Sequence, residues 1–368
     1  MKVCHITSVH DSLDDRIFLK ECVSLAKAGY DTYLVAYGES NTVSDVKIVG
    51  IGEREDSRIN RVLRGAKRIY EEAVRVDADI YQFHDPELLP YGIKLKKLGK
   101  RVIYDSHEDV PRQIMAKDWI PKPFRMIISV LFEKYEKTSA KKLDCVITAT
   151  PHIAKEFEKA GAHTEVVKNY PILQDIHGKN EDYSARENIV CYAGGLTEQR
   201  GITDIIKAVG RCHAKLLLAG DIESGYKEEL SALDGYSNAE FLGFLNREQV
   251  ESMYNRSRVG LCVLRNTPNH VNALAIKLFE YMAAGIPIVC SNFPLWIDIV
   301  EKNGCGICVE PGNPEKIKEA IQYLLNNQEE AKKMGDAGKE VVKEKYNWEN
   351  EKMILLQVYS RMCERRKK

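Results

Sequence analysis

The sequence predicts an α/β protein of two Rossmann-like domains facing a cleft, with a helical tail. Three observations predict it. Short β-rich runs that end in polar residues alternate with longer amphipathic helical runs, the pattern of a doubly wound parallel sheet. The alternation breaks once, at the polar and unpatterned stretch ILQDIHGKNEDYSARE (172–187), and then restarts. The chain has 368 residues, which is long enough for two hydrophobic cores.

The elements follow in order. KVCHITSV is a strand leading to a helix around Asp15–Ala28, and DTYLVAYG and VKIVGIG are the next strands. DIYQFHD leads into the helical run PELLPYGIKLKKLG. RVIYDSHED precedes a helical region reaching Lys142, and DCVITAT leads to PHIAKEFEKAG, with TEVVKNYP closing the half. The second half opens on the strand NIVCYAGG, a helix from Gly201, and the strands KLLLAGD and AEFLGFL. It continues through the helix NREQVESMYNRS, the strand VGLCVLRN, a helix within NALAIKLFEYMAAG, and the strands IPIVCSN and GICVEPG. From Asn313 the pattern is helical, with a break at Tyr346–Trp348. The expected domains are therefore 1–170 and 171–345, with 346–368 as a terminal helix.

Composition removes several function classes. With 54 basic and 54 acidic residues there is no global field for nucleic acid. No apolar run reaches the ~18–20 residues that span a bilayer, and the first residues lack the apolar core of a signal peptide, so a cytoplasmic protein is expected. The ten cysteines lie mostly in apolar strands and helices, as reduced cysteines do, and Cys305-Gly-Ile-Cys308 reads as the start of a short strand. The first βα turn, TSVHDSLDDR, has no glycine, which argues against a nicotinamide cofactor. There is no GxxxxGK[ST] loop, GxSxG elbow or HExxH motif, so no cofactor and no metal are expected.

In doubly wound sheets, ligands collect beyond the carboxyl ends of the strands. Gly194 and Gly195 follow a strand and allow a ligand close to backbone N–H groups. Arg200 stands where the next helix begins, where an anion is favoured; a tight turn with a solvated arginine is the alternative. In NALAIKLFEYMAAG, Lys277 adds positive charge near a helix N-terminus, and Glu280 lies one turn on. A carboxylate there suits ribose hydroxyls; an ion pair between the two residues on a solvated face is the alternative. In the first half, His10, His84, Asp85, Asp105 and His107 stand at three strand ends and suggest a shared polar wall.

KLFEYMAAGIPIVCSNFPLWIDIVEKNGCGICVEPGNPEKIKEAIQYLL, with YAGGLTEQRGI and EFLGFLNREQVESMYNRS before it and YNW after it, resembles the nucleotide-sugar-binding half of family 4 retaining glycosyltransferases. DDRIFLKE, YQFHDPELL and YDSHEDVPR resemble bacterial surface-polysaccharide members of that family. The resemblance implies the GT-B architecture, with the C-terminal helix crossing back to the first domain. It also implies metal-independent transfer of a hexosyl or N-acetylhexosaminyl group from a nucleotide sugar, with UDP as the nucleotide, to a hydroxyl acceptor such as a lipid-linked saccharide. By position, Glu280 matches the second glutamate of the family's Glu-x7-Glu motif, which binds the donor ribose. Asn272 replaces the first, which normally meets the donor sugar. Arg200 stands where a diphosphate-binding lysine is usual, and Gly195 replaces a basic residue. Lys277 would supply the missing phosphate cation, and a histidine at the position of His107 approaches donor sugar and acceptor. Catalytic roles are thus expected for His107, Lys277 and Arg200. An epimerase or hydrolase of the same architecture, or an inactive sugar-nucleotide-binding subunit, are the rival readings.

Two segments suggest a peripheral position on the inner face of the plasma membrane. Arg58, Arg61, Arg64, Lys67, Arg68 and Arg75 run along a predicted helix, and Trp119–Lys137 mixes aromatic and large aliphatic residues with lysines. The alternative for the second segment is burial in the core.

Overall fold

The computed structural model describes residues 1–57, 60–115, 117, 120–173, 183–212 and 214–364. The chain divides into two compact units: Met1–Asn169 with Trp348–Lys368, and Tyr170–Asn347. Arg58, Trp119 and residues 174–182 of the expected linker lie outside the described residues.

The first unit is built on strands β1 (Lys2–Ile6), β2 (Asp31–Ala36), β3 (Asn41–Val43), β4 (Val46–Gly50), β5 (Ile80–Phe83), β6 (Arg101–Ser106), β7 (Cys145–Thr148) and β8 (Thr164–Val166). Their order across the sheet is β3-β4-β2-β1-β5-β6-β7-β8, parallel throughout except for the β3–β4 edge pair. β1 pairs with β2 on one side and β5 on the other, so the order of strands reverses between β1 and β5. The strands are continuous apolar runs because helices cover both faces; Val3, Ile6, Ile80, Phe83, Val102 and Val146 are fully buried.

The helix after β1 departs from α geometry. Over Asp15–Cys22 it is a π-helix, capped by the Asp14 carboxylate, which accepts from the Arg16 and Ile17 amides. Leu19 N–H reaches back five residues to the Asp14 carbonyl. The wider turn brings Arg16, Lys20 and Glu21 into the interior together, an arrangement the sequence does not advertise.

The last helix, Trp348–Glu364, belongs to the first unit. Trp348 Nε1 donates to Ser24 Oγ at 3.0 Å, the Lys168 amide donates to Glu351 at 2.8 Å, and Arg361 pairs with Glu165 at 2.7 Å. Tyr359 is completely enclosed.

The second unit carries β9 (Ile189–Ala193), β10 (Lys215–Ala219), β11 (Ala239–Gly243), β12 (Val259–Cys262), β13 (Ile288–Ser291) and β14 (Gly306–Val309). Their order is β11-β10-β9-β12-β13-β14, all parallel, which is the dinucleotide-fold order 3-2-1-4-5-6. Its reversal lies between β9 and β12. Local chemistry sets the helix ends. Asn246 and Gln249 form a reciprocal capping box at Arg247–Arg256. Gly285, in the left-handed region at φ 65°, stops Ile276–Ala284.

Part of the expected linker is structural. Tyr183 is buried and donates to the Arg258 carbonyl, and the buried Arg186 donates to the Ser257 and Ala284 carbonyls. These residues tie the start of the second unit down, so the polar composition of 183–187 reflects side chains serving buried backbone carbonyls. Cys308 sits on β14 with its Sγ 3.5 Å from that of Cys290 on the neighbouring strand.

Candidate functional site

Chemistry-bearing residues gather at the carboxyl ends of the central strands in each unit, at the two positions where strand order reverses. In the second unit, Gly194 and Gly195 follow β9. Gly194 has φ 136°, and a β-carbon there would lie 3.1 Å from Lys277 Nζ, 3.3 Å from the Tyr192 hydroxyl and 3.4 Å from Arg200 Nη1. Only glycine leaves room for the two cations to approach the turn. Gly201 serves differently: at φ 76°, its missing side chain lets the backbone pass the Val263 carbonyl, where a β-carbon would sit 2.1 Å away.

Lys277 is buried, with Nζ donating to the Tyr192 hydroxyl at 3.1 Å and lying 4.2 Å from that ring's centroid. Among the described residues, neither Lys277 nor Arg200 has a carboxylate partner. Their field reaches His270: burial lowers its pKa, and Arg200 and Lys277 lower it further. Neither N-cap residue of the helices beginning at Ile202 and Ile276 offers a side-chain cap; the Thr203 amide of the first donates to the Tyr226 hydroxyl at 3.1 Å, and the first N–H groups of the second carry no such partner among the described residues.

Two readings of this region are corrected. Lys277 and Glu280 form no ion pair on a solvated face. The ammonium goes to Tyr192, whereas Glu280 Oε2 accepts from the Tyr254 hydroxyl at 3.0 Å. Asn272 is not on the helix that carries Lys277; it follows the short helix Pro268–Val271, and the longer helix starts at Ile276. The sequence also gave no sign of Tyr192, Tyr254 or His270, because each is defined by a partner distant in the chain.

In the first unit, the ends of β1, β5 and β6 surround a cavity of about 430 Å³. Polar His10, Asp85, His107 and Glu108 and apolar Ile114 and Ile128 are among the residues that line it. Asp85 is fixed by Thr7 Oγ1 at 2.8 Å and by the Ser8 amide at 2.6 Å. His10 lies 3.4 Å from Asp14 and 3.5 Å from Asp85. Burial alone would lower its pKa; the Asp14 hydrogen bond and the Asp85 and Glu108 charges outweigh this and push it up to about 9. The His10 and His107 rings lie 5.1 Å apart.

His84 and Asp105 do not stand beside these residues as surface groups. Both side chains are fully enclosed. Arg16 holds both Asp105 oxygens, Nε–Oδ2 at 2.9 Å and Nη2–Oδ1 at 2.8 Å, and His84 Nδ1 lies 2.9 Å from Oδ2. Burial would raise the Asp105 pKa, but the Arg16 guanidinium, the His84 hydrogen bond and the nearby His107 ring hold it well below the usual carboxylate range. Asp105 therefore supports the wall from behind. His107 reaches toward it, Nδ1 to Oδ2 3.5 Å, without closing a hydrogen bond. The donor atoms of His84, Asp105 and His107, like those of His5, Glu21 and His84, lie within 4.8 Å of one another, as a metal site would need. Arg16 already occupies Asp105 bidentately, so the charge a cation would neutralise is taken.

The helix Lys122–Ala140 exposes Phe124, Met126, Ile127, Val130 and Leu131, each more than half accessible. This excludes the core reading of the segment. The basic stripe is less free than its sequence suggests: Arg61 pairs with Glu87, Lys67 with Glu71, Arg68 with Glu55 and Arg75 with Glu72. Among the described residues, no helix is long and apolar enough to cross a membrane.

Residues 18–170 match Glycosyltransferase Family 4, and residues 174–341 match Glycosyl transferases group 1. An uncharacterised glycosyltransferase of Methanocaldococcus jannaschii is 30% identical over 47% of this chain and 45% of its own length. The chain thus spans about half of that relative. The MMP alpha-(1->4)-mannosyltransferase of Mycolicibacterium hassiacum is 23% identical over 79% of this chain and 72% of its own. Among solved structures, Anabaena HepE in complex with UDP-glucose superposes with a TM-score of 0.76 at 14% identity, covering 98% of this chain and 99% of that one. The two unit folds, the strand orders and the paired family matches agree: the chain belongs to the family 4 glycosyltransferases and has the GT-B fold.

Proposed function

We propose that the protein is a retaining glycosyltransferase that moves a hexosyl or N-acetylhexosaminyl group from a UDP-sugar to a hydroxyl of a lipid-linked saccharide in surface-polysaccharide synthesis. The observation that carries this reading is the convergence of Arg200 and Lys277 on Gly194, with no carboxylate among the described residues to neutralise them. A diphosphate supplies the missing charge. As the glycosidic bond to the leaving phosphate breaks, the two cations and the uncapped helix N-termini stabilise the developing charge electrostatically. In this reading no metal or other cofactor is needed for that task. The Glu280 oxygen not held by Tyr254 accepts from ribose hydroxyls, and Asn272 meets the sugar. The acceptor hydroxyl lies against His10 and His107 and passes its proton to a donor phosphate oxygen. The relationship to a mannosyltransferase favours mannose among the hexoses.

The first-unit cavity supports an amphipathic acceptor. Its lining includes polar His10, Asp85 and His107 and apolar Ile128. Ile128 belongs to the helix with the exposed apolar residues, flanked by exposed Lys122 and Lys134. That helix suits the headgroup region of an anionic bilayer, a peripheral position on the inner face of the plasma membrane.

The test is a thermal-shift series with UDP, GDP and their sugars. A nucleotide at a hundred times its Kd stabilises the fold by about 2.7 kcal/mol. A shift with UDP that Arg200→Ala removes supports the reading, and a larger shift with GDP moves the base. No shift with any nucleotide overturns it. Product analysis with and without acceptor then separates transfer from epimerisation, hydrolysis and mere binding.

A further inference from the structure

Behind the cavity, the first unit contains a continuous chain of buried polar contacts that ends on the last helix. His84 Nδ1 lies 2.9 Å from Asp105 Oδ2, and His84 Nε2 lies 3.0 Å from His5 Nδ1. His5 Nε2 lies 3.0 Å from the Tyr359 hydroxyl. That hydroxyl is 2.8 Å from Gln82 Oε1, and Gln82 Nε2 is 2.6 Å from Glu21 Oε2. Each of these side chains is buried, and Glu21 Oε1 has no hydrogen-bond partner.

Donor and acceptor counting limits the protons in this chain. The ionised Asp105 only accepts, so His84 Nδ1 carries a proton. With the Gln82 amide oriented as in the structure, Tyr359 donates to Gln82. His5 must then donate from Nε2 to Tyr359, and one histidine of the pair must be an imidazolium beside an ionised Glu21; His84, held by the ionised Asp105, is the better placed of the two. If the amide turns over, Gln82 donates to Tyr359, Tyr359 to His5, His5 to His84 and His84 to Asp105, while a protonated Glu21 donates to Gln82. Both arrangements hold the same number of protons and satisfy every contact. They differ in whether one proton sits on Glu21 or on His84. Burial raises Glu21 well above the carboxylate range and lowers both His5 and His84, which favours the second arrangement.

We infer that Tyr359 of the C-terminal helix is a positioning residue for the acceptor cavity, acting through His5 and His84 on Asp105 and thereby on the orientation of His107. The inference rests on the transferase reading only for its effect on rate. The relay is faced by Arg16, Glu21 and Cys22 from the first helix, and by Asp85, Asp105, His107 and Tyr30 from the strand ends and loops around it. His10 and Glu108 complete the charged groups at the cavity end.

Tyr359→Phe keeps the ring against His5 and Tyr30 and deletes only the hydroxyl. Histidine-ring NMR on the full chain reads tautomers and titration without requiring turnover. The expected result is a changed His5 tautomer and a His84 titration displaced by roughly half a pH unit or more. The pH dependence of turnover should move with it, while UDP affinity stays within about twofold. Glu21→Gln is the second variant: it preserves shape, cannot give up a proton, and locks His84 neutral. If Tyr359→Phe does not fold, Glu21→Gln decides. A folded variant whose histidine tautomers and titrations superimpose on the parent's overturns the inference, whatever becomes of the transferase reading.

Discussion

Lys277→Met separates stability from function at the cation pair. The ammonium is buried, 4.2 Å from the Tyr192 centroid, with no carboxylate among the described residues to offset its desolvation. Contact with the ring contributes about 0.5–2 kcal/mol. Removing an ion from water costs several kcal/mol after relaxation, of roughly the same size or larger. Methionine fills similar space and needs no hydration, so the two changes nearly cancel. The expected loss of stability in guanidinium unfolding without ligand is under about 1 kcal/mol. Nucleotide affinity behaves differently, because the variant removes a charge-assisted contact worth about 1.5–3 kcal/mol. By calorimetry the Kd for UDP should rise by roughly 10- to 150-fold. The reasoning fails if stability falls by more than about 2 kcal/mol while UDP affinity is unchanged. Lys277 would then be a packing residue that happens to be charged.

Glu280→Ala should erase discrimination between UDP and its 2′,3′-dideoxy analogue; retained discrimination would move the ribose elsewhere. His107→Ala should slow transfer by about 10²-fold or more with donor affinity little changed, measured as turnover against UDP binding. An equal loss in both would make it a binding or packing residue. His10 predicts a pH dependence of stability. Its folded pKa is raised from 6.5 to about 9, so its contribution is fully present below pH 6.5 and is lost as pH rises through 9. The decline across that window should approach roughly 3 kcal/mol and be absent in His10→Asn, as read by urea unfolding at several pH values.

Two doubly wound units could be read from the sequence because each strand is an apolar run closed by polar residues, a pattern that survives without tertiary knowledge. Gly194, Arg200 and Lys277 could be placed near strand ends for the same reason. What the pattern does not carry is direction. Lys277 and Tyr192 are 85 positions apart, and Arg16 and Asp105 are 89 apart. No local signal tells that Asp105 is clamped inside the unit while His107, two residues on, lines the cavity. The π-helical turn at Asp15–Cys22 likewise reads as ordinary helix, although it is what brings Arg16 inward. The apolar face of Lys122–Ala140 has the composition of a core helix, and only packing shows that nothing in the chain covers Phe124 or Leu131.

The two strand-order reversals solve opposite electrostatic problems. At β1/β5 the buried charges are matched within the unit: Arg16 spans Asp105, and Glu21 lies 3.3 Å from the same guanidinium. Asp85 is held by a hydroxyl and an amide. Such a wall offers hydrogen bonds with little net field, which suits a neutral hydroxyl that must be oriented rather than attracted. At β9/β12 no carboxylate among the described residues pairs with Lys277 or Arg200, and both approach the side-chain-free Gly194. An unneutralised pair of this kind costs stability in the empty protein and is tolerated where a ligand completes it. The second site should therefore weaken with rising salt as its nucleotide competes with free anions, whereas the first should not. On the proposed reading, this division between a matched wall and an unmatched pair gives the uncharged substrate to one unit and the diphosphate to the other.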